Sequence, residues 1–98
     1  MPHHLTAHIR ATEGSDPDLV HRELAQLQAD TQTEPGCLTF QVFQDAADPT
    51  HFVLWEAWTS PGALDQHFAY EHTQRYMTLN LTQVEKIVVH TPVDHSAS

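Results

Sequence analysis

The sequence predicts an α+β domain of order βαββαβ, with a four-stranded antiparallel sheet and two helices on one of its faces. Three observations predict it. Four separated segments show strand-like alternation or β-branched and aromatic enrichment, two helix-start signals place a capping residue before a proline, and a short polar link joins the two middle strands. The 98 residues make one domain and no more.

Leu5, Ala7, Ile9 and Ala11 alternate with Thr6, His8 and Arg10, which marks a first strand that Glu13-Gly14-Ser15 breaks. Asp16 is then a good N-cap and Pro17 suits the first helical position. Val20, Leu24, Leu27 and Thr31 recur at helical spacing, so this helix runs to about Gln32, where Glu34-Pro35-Gly36 stops it. Cys37 to Gln44 is a strand by its Thr39, Phe40, Val42 and Phe43. The turn Asp45–Thr50 leads to a third strand, His51 to Trp58, and its shortness makes the pair a hairpin. Ser60-Pro61 repeats the helix-start signal, with Leu64, His67, Phe68 and Glu71 at i, i+3, i+4 and i+7. Glu71 to Asn80 continues as helix or after a kink, and Val84 to Thr91 forms the last strand. Right-handed crossovers then give the ferredoxin-like arrangement over residues 1–91, with residues 92–98 a loose tail.

Four Lys and Arg stand against 13 Asp and Glu, a formal charge of −9. Such a chain repels phosphate backbones and anionic lipid, so no nucleic-acid or membrane partner is expected. The single cysteine, Cys37, allows no intrachain disulfide, and the start of the chain lacks a basic segment followed by an apolar one. A cytoplasmic location is the expectation. Of the nine histidines, His3, His4, His21, His51, His90 and His95 read as surface residues.

Helices cover one face of such a sheet, yet both faces of the hairpin are apolar. Phe40 and Val42 oppose Cys37, Thr39 and Phe43, and Phe52, Leu54 and Trp58 oppose Val53 and Trp55. Leaving such side chains in water forgoes roughly 1.5–3 kcal/mol each. A homodimer formed by packing sheet on sheet is therefore expected.

Two polar residues fall on apolar stripes. Glu56 shares a strand face with Phe52, Leu54 and Trp58, and His67 shares a helix stripe with Leu64 and Phe68. The economical reading is that they face each other, the carboxylate fixing the imidazole tautomer and leaving the second nitrogen free to take a proton. The alternative is a hydrogen bond that only locks helix to sheet. Aromatic residues such as Trp58, Phe68, Tyr76 and Phe40 are enough to line a pocket for a flat ring, and also enough simply to make a core. His72 lies five residues beyond His67, about 140° around a continuous helix, so the two share no face and no metal site is expected. Three glycines form no phosphate-binding loop.

Glu34-Pro-Gly-Cys-Leu-Thr-Phe40, Phe52-x-Leu-Trp-Glu-x-Trp58-x-Ser60 and Ala63-Leu-x-x-His67-x-x-x-x-His72 together resemble the antibiotic biosynthesis monooxygenase domain, over about Leu5 to Thr91. The resemblance implies a dimeric ferredoxin-like fold, the dimeric α/β barrel, with a pocket between helices and sheet. Some members oxygenate phenolic or quinol-like aromatics with molecular oxygen and no metal or flavin cofactor, some degrade haem, and others are isomerases. The haem degraders carry a ligating His about ten residues past the position of His67 and a Trp near it, where this chain has Met77 and His67. The expected activity is therefore cofactor-free oxygenation of a small aromatic molecule, with His67 as base, Glu56 orienting it, and Trp58, Phe68, His72, Tyr76 and Phe40 around the substrate. An isomerase or decarboxylase using the same base, or a non-catalytic ligand-binding module, are the alternatives.

Overall fold

A computed structural model describes residues 2–93. Its elements are β1 (His3–Ala11), α1 (Pro17–Thr31), β2 (Cys37–Gln44), β3 (His51–Trp58), α2 (Pro61–His67), α3 (Glu71–Leu79) and β4 (Thr82–His90). The strands lie in the order β2-β3-β1-β4 with every neighbouring pair antiparallel. This is the ferredoxin-like topology, in which each strand–helix–strand unit spans one intervening strand. Of the tail expected over residues 92–98, residues 94–98, including His95, lie outside the described residues.

The local signals act as expected. The Asp16 side chain accepts the Asp18 amide at the start of α1, and Ser60 Oγ accepts the Ala63 amide at the start of α2. Val20, Leu24, Leu27 and Thr31 form the buried stripe of α1. They pack on Leu5, Ala7 and Ile9 of β1 and on Phe40, Phe52, Leu54 and Trp58 of the hairpin. Two glutamines one turn apart, Gln28 on α1 and Gln32 at its C-cap, treat the edge strand β2 as a partner. Gln28 Oε1 accepts the Val42 amide at 2.7 Å and Gln32 Nε2 donates to the Phe40 carbonyl at 2.9 Å. They occupy backbone groups that an edge strand would otherwise offer to another chain.

One expectation changes. A register irregularity between Cys37 and Thr39 puts Cys37 opposite Trp58 and Thr39 opposite Ala57. Cys37 therefore joins the helix-facing side with Phe40, instead of the side of Thr39 and Phe43, because the extra residue Leu38 reverses the alternation. The second helical segment takes the kinked alternative and divides into two helices. Backbone bonds from Phe68, Ala69 and Tyr70 to Asp65, Gln66 and His67 close a turn after His67, and α3 starts afresh at Glu71. Asn80, at φ 56°, ends α3 in the left-handed conformation that Asn tolerates better than most residues.

The uncovered face of the sheet pairs Gln41 with Trp55, Phe43 with Val53 and Trp55 with Thr6. Trp55 and Phe43 are about half exposed there. On the helix side, β4 runs past the helices, which leaves Val84, Ile87 and Val89 exposed along the rim of a cleft. No helix among the described residues is long and apolar enough to cross a membrane.

Candidate active site

The carboxylate at the centre of the site is Glu34. It lies between the end of α1 and the start of β2, fixed by its own amide to the Thr31 carbonyl and by its carbonyl to the Cys37 amide, both at 3.0 Å. The next residues, Pro35 and Gly36, turn the chain into β2. Gly36 comes so close to α2 that an added Cβ would lie 2.5 Å from the Ala63 Cβ, so glycine lets helix and strand approach. The side chain of Glu34 is only 2% exposed.

One oxygen of Glu34 accepts from two imidazoles. His67 Nδ1 lies 2.7 Å and His72 Nε2 2.6 Å from Oε2. The Thr73 hydroxyl sits 3.3 Å from His67 Nδ1. An ionised carboxylate only accepts, so each of these nitrogens carries the proton, and His67 Nε2 keeps its lone pair in the neutral ring. The His67 ring is boxed by aromatics, with centroids 5.0 Å from Trp58, 5.3 Å from Phe68 and 5.6 Å from Phe40.

The expected partnership of Glu56 with His67 is not formed. Glu56 Oε1 instead accepts the indole N–H of Trp58 at 3.0 Å, two residues along on the same strand face. The reason is spatial: the loop before β2 brings Glu34 to His67 first. His72 corrects a second expectation. The separation of about 140° holds only on a continuous helix, and the break after His67 turns His72 back onto the same oxygen.

His67 and Glu56 both line a cleft of about 480 Å³ between the helices and strands β1 and β4. Phe40, Phe68, Tyr76 and Met77 line it too, among mostly apolar side chains. Trp58 and His72 are not on its wall. Trp58 is fully buried behind His67, and His72 supports Glu34 from the other side. The Tyr76 hydroxyl pairs with Thr82 Oγ1 at 2.7 Å, and burial raises its pKa. Burial, helped by Glu34 and Glu56, pushes the Cys37 thiol up to about 11, which removes it as a nucleophile at neutral pH. Among the histidines expected at the surface, His21 and His90 are exposed and His3, His4 and His51 partly so. Glu34, which sequence reasoning took as a helix terminator, is the buried carboxylate partner of His67 that it missed. Its place in the Glu-Pro-Gly-Cys motif was the available signal.

Comparison with known proteins follows the same lines. Residues 2–79 match the family model described as antibiotic biosynthesis monooxygenase. The Bacillus subtilis protein YjcS is 30% identical over 83 residues, which cover 85% of this chain and 79% of that protein. The crystal structure of PA3566 from Pseudomonas aeruginosa superposes with a TM-score of 0.84 at 33% identity, covering 95% of each chain. SnoaB from Streptomyces nogalater, described as a cofactor-independent oxygenase, superposes at 0.78 over 99% of this chain and 98% of its own. At 14% identity that likeness concerns the fold alone.

Glu56 has an electrostatic signature of its own. Burial raises its pKa from 4.5 to about 7, the Trp58 hydrogen bond opposes this, and the nearby charge of Glu34 adds to it. The folded protein therefore holds the Glu56 proton more tightly than the unfolded chain does. Stability must fall as pH rises from about 4.5 to about 7, and this contribution is constant outside that window. Glu56→Gln keeps an acceptor for Trp58 and cannot ionise. Urea unfolding at pH 5 and pH 8 should show the variant gaining on the parent by roughly 2–3 kcal/mol between the two, the part of the displacement's free energy that falls inside that interval. A difference between variant and parent that stays constant with pH would show that Glu56 titrates normally.

Proposed function

The chain belongs to the antibiotic biosynthesis monooxygenase family, and on that premise we propose that it oxygenates a small phenol or quinol with molecular oxygen, needing no bound cofactor. The observation that carries this reading is the His67 imidazole, held by Glu34 on the wall of an apolar cleft of about 480 Å³.

His67 Nε2 takes the proton of a substrate hydroxyl, and Glu34 stabilises the imidazolium through Nδ1–H. The phenolate or enolate so formed passes one electron to O₂. Recombination of radical and superoxide forms a C–O bond and, with a proton, a hydroperoxide. The O–O bond then breaks as the same carbon loses its hydrogen, giving a carbonyl and one water. Both oxygen atoms and all electrons are accounted for by substrate and O₂. Phe40, Phe68 and Tyr76 hold the ring and exclude water. Glu56, on the cleft wall with its raised pKa, supplies a second group that exchanges protons near neutrality. Trp58 and His72 act as positioning residues, the first on Glu56 and the second on Glu34. The same chemistry extends to the assembly: Trp55 and Phe43 on the bare sheet face support a homodimer packed sheet on sheet.

General-base assistance contributes ~10²–10⁴-fold, so His67→Ala should lower oxygen uptake on a responsive quinol by that order. Glu34→Gln should lose as much with its thermal midpoint kept within a few degrees, because an amide facing Nδ1 favours the wrong tautomer. Full uptake by His67→Ala would remove the base assignment. Turnover that persists under nitrogen would instead make the protein an isomerase or decarboxylase, and binding without turnover a ligand-binding module.

Sedimentation at micromolar concentration should give twice the chain mass. Trp55→Glu should shift the protein to monomer, and a parent chain that sediments as a monomer would contradict the sheet-face dimer.

A further inference from the structure

We propose that Glu34, His67 and His72 form a binding site for one divalent transition-metal cation of the zinc class. The ligand atoms are Glu34 Oε2, His67 Nδ1 and His72 Nε2, which all lie within 4.8 Å of one another. Two imidazole nitrogens and one carboxylate oxygen make a donor set that Zn²⁺ and its first-row neighbours use, with a fourth position left for water.

The geometry is one small movement from a coordination sphere. Bonds of ~2.0–2.1 Å at tetrahedral angles place ligand atoms roughly 3.3 Å apart. The nitrogens now stand 2.7 and 2.6 Å from the oxygen, distances set by a shared proton. Each must draw back by about 0.6 Å for a cation to replace those protons. Spacing alone does not provide such a site, because His67 and His72 diverge on a continuous helix. The turn over Phe68–Tyr70 ends α2 at His67 and lets α3 return His72 to the same point.

The surroundings suit a cation. Glu34 is anchored through its backbone at both ends, so its carboxylate is preorganised. The carboxylates of Glu34 and Glu56 both lie buried in this region, and no Lys or Arg hydrogen-bonds either of them among the described residues. Burial falls off from Glu34 and His67, 2% and 6% exposed, to His72 at 19%, which gives an approach from solvent past His72. The binding claim rests on these donors and not on the oxygenase reading. The two connect in one respect: a cation on His67 Nδ1 displaces the proton that Glu34 holds there, so the metal-bound and base-competent states exclude each other.

The test uses the full chain, stripped with a chelator and titrated with Co²⁺ and Zn²⁺ at pH 7.5. Co²⁺ should give the visible absorption of a four- or five-coordinate site, saturating at one equivalent per chain and displaced by Zn²⁺. His72→Ala, at the partly exposed ligand, should weaken Zn²⁺ by more than ~100-fold, beyond what outer-sphere partners typically cost. Glu34→Gln should do the same, and circular dichroism checks that each variant is folded. His8→Ala and His51→Ala, which remove a histidine pair on the opposite sheet face, should leave the affinity unchanged. Absence of a saturable cobalt spectrum would overturn the site. So would Zn²⁺ binding that survives His72→Ala or disappears with His8→Ala, since the metal would then sit on surface histidines. Because the readout is binding, it can fail while oxygen uptake persists, and oxygen uptake can fail while binding persists.

Discussion

A single carboxylate oxygen organises this site. Glu34 Oε2 accepts from His67 Nδ1 and His72 Nε2, and it does so from a position almost wholly removed from solvent. A carboxylate in that position is costly unless its lone pairs are satisfied, and a buried imidazole N–H carries a similar requirement. Each group thus answers the needs of the others. The arrangement also ties three separately folded pieces to one point: the loop after α1, the end of α2 and the start of α3. Truncation of Glu34 to a residue with no acceptor would leave two donors facing a dry interior, so its effect would spread from the chemistry to the docking of both short helices.

The rest of the fold brings Glu34 to that point. The buried stripe of α1 seats the helix on β1 and the hairpin, and Gln28 and Gln32 fasten it to the edge of β2. With α1 and β2 both fixed, the short connection carrying Glu34 has little freedom. Gly36 then admits α2 to close range. Aromatic rings pack around His67, which lines the cleft in a medium where charge is weakly screened. Polar specificity on a mostly apolar wall is what a site for a flat, hydroxylated ring requires.

Most of the architecture was legible in the sequence because its signals are local. Asp16-Pro17 and Ser60-Pro61 start helices for reasons contained in those residues, and the alternation of β1 and β3 states which side chains face inward. What escaped is non-local or unmarked. Leu38 carries no glycine or proline to announce the bulge that turns Cys37 inward. The segment Phe68-Ala69-Tyr70 likewise contains no helix breaker, so His67 and His72 read as diverging. Glu34 followed a helix and preceded Pro-Gly, and its role as terminator concealed its role as acceptor. On the sequence, His67 and Glu56 were each a polar residue on an apolar stripe, which made them the economical pair. The choice between Glu34 and Glu56 depended on how the loop before β2 folds back, which no spacing along one element encodes.

The tautomer of His67 tests the account at its centre. In chelator-treated protein labelled with ¹⁵N histidine, long-range ¹H–¹⁵N correlation at pH 8 separates protonated from unprotonated ring nitrogens. The account predicts Nδ1–H with a bare Nε2 for His67, and Nε2–H with a bare Nδ1 for His72. A His67 ring protonated on Nε2 and bare on Nδ1 would mean that Glu34 does not hold it as described, and the proposed base would have no free lone pair to use.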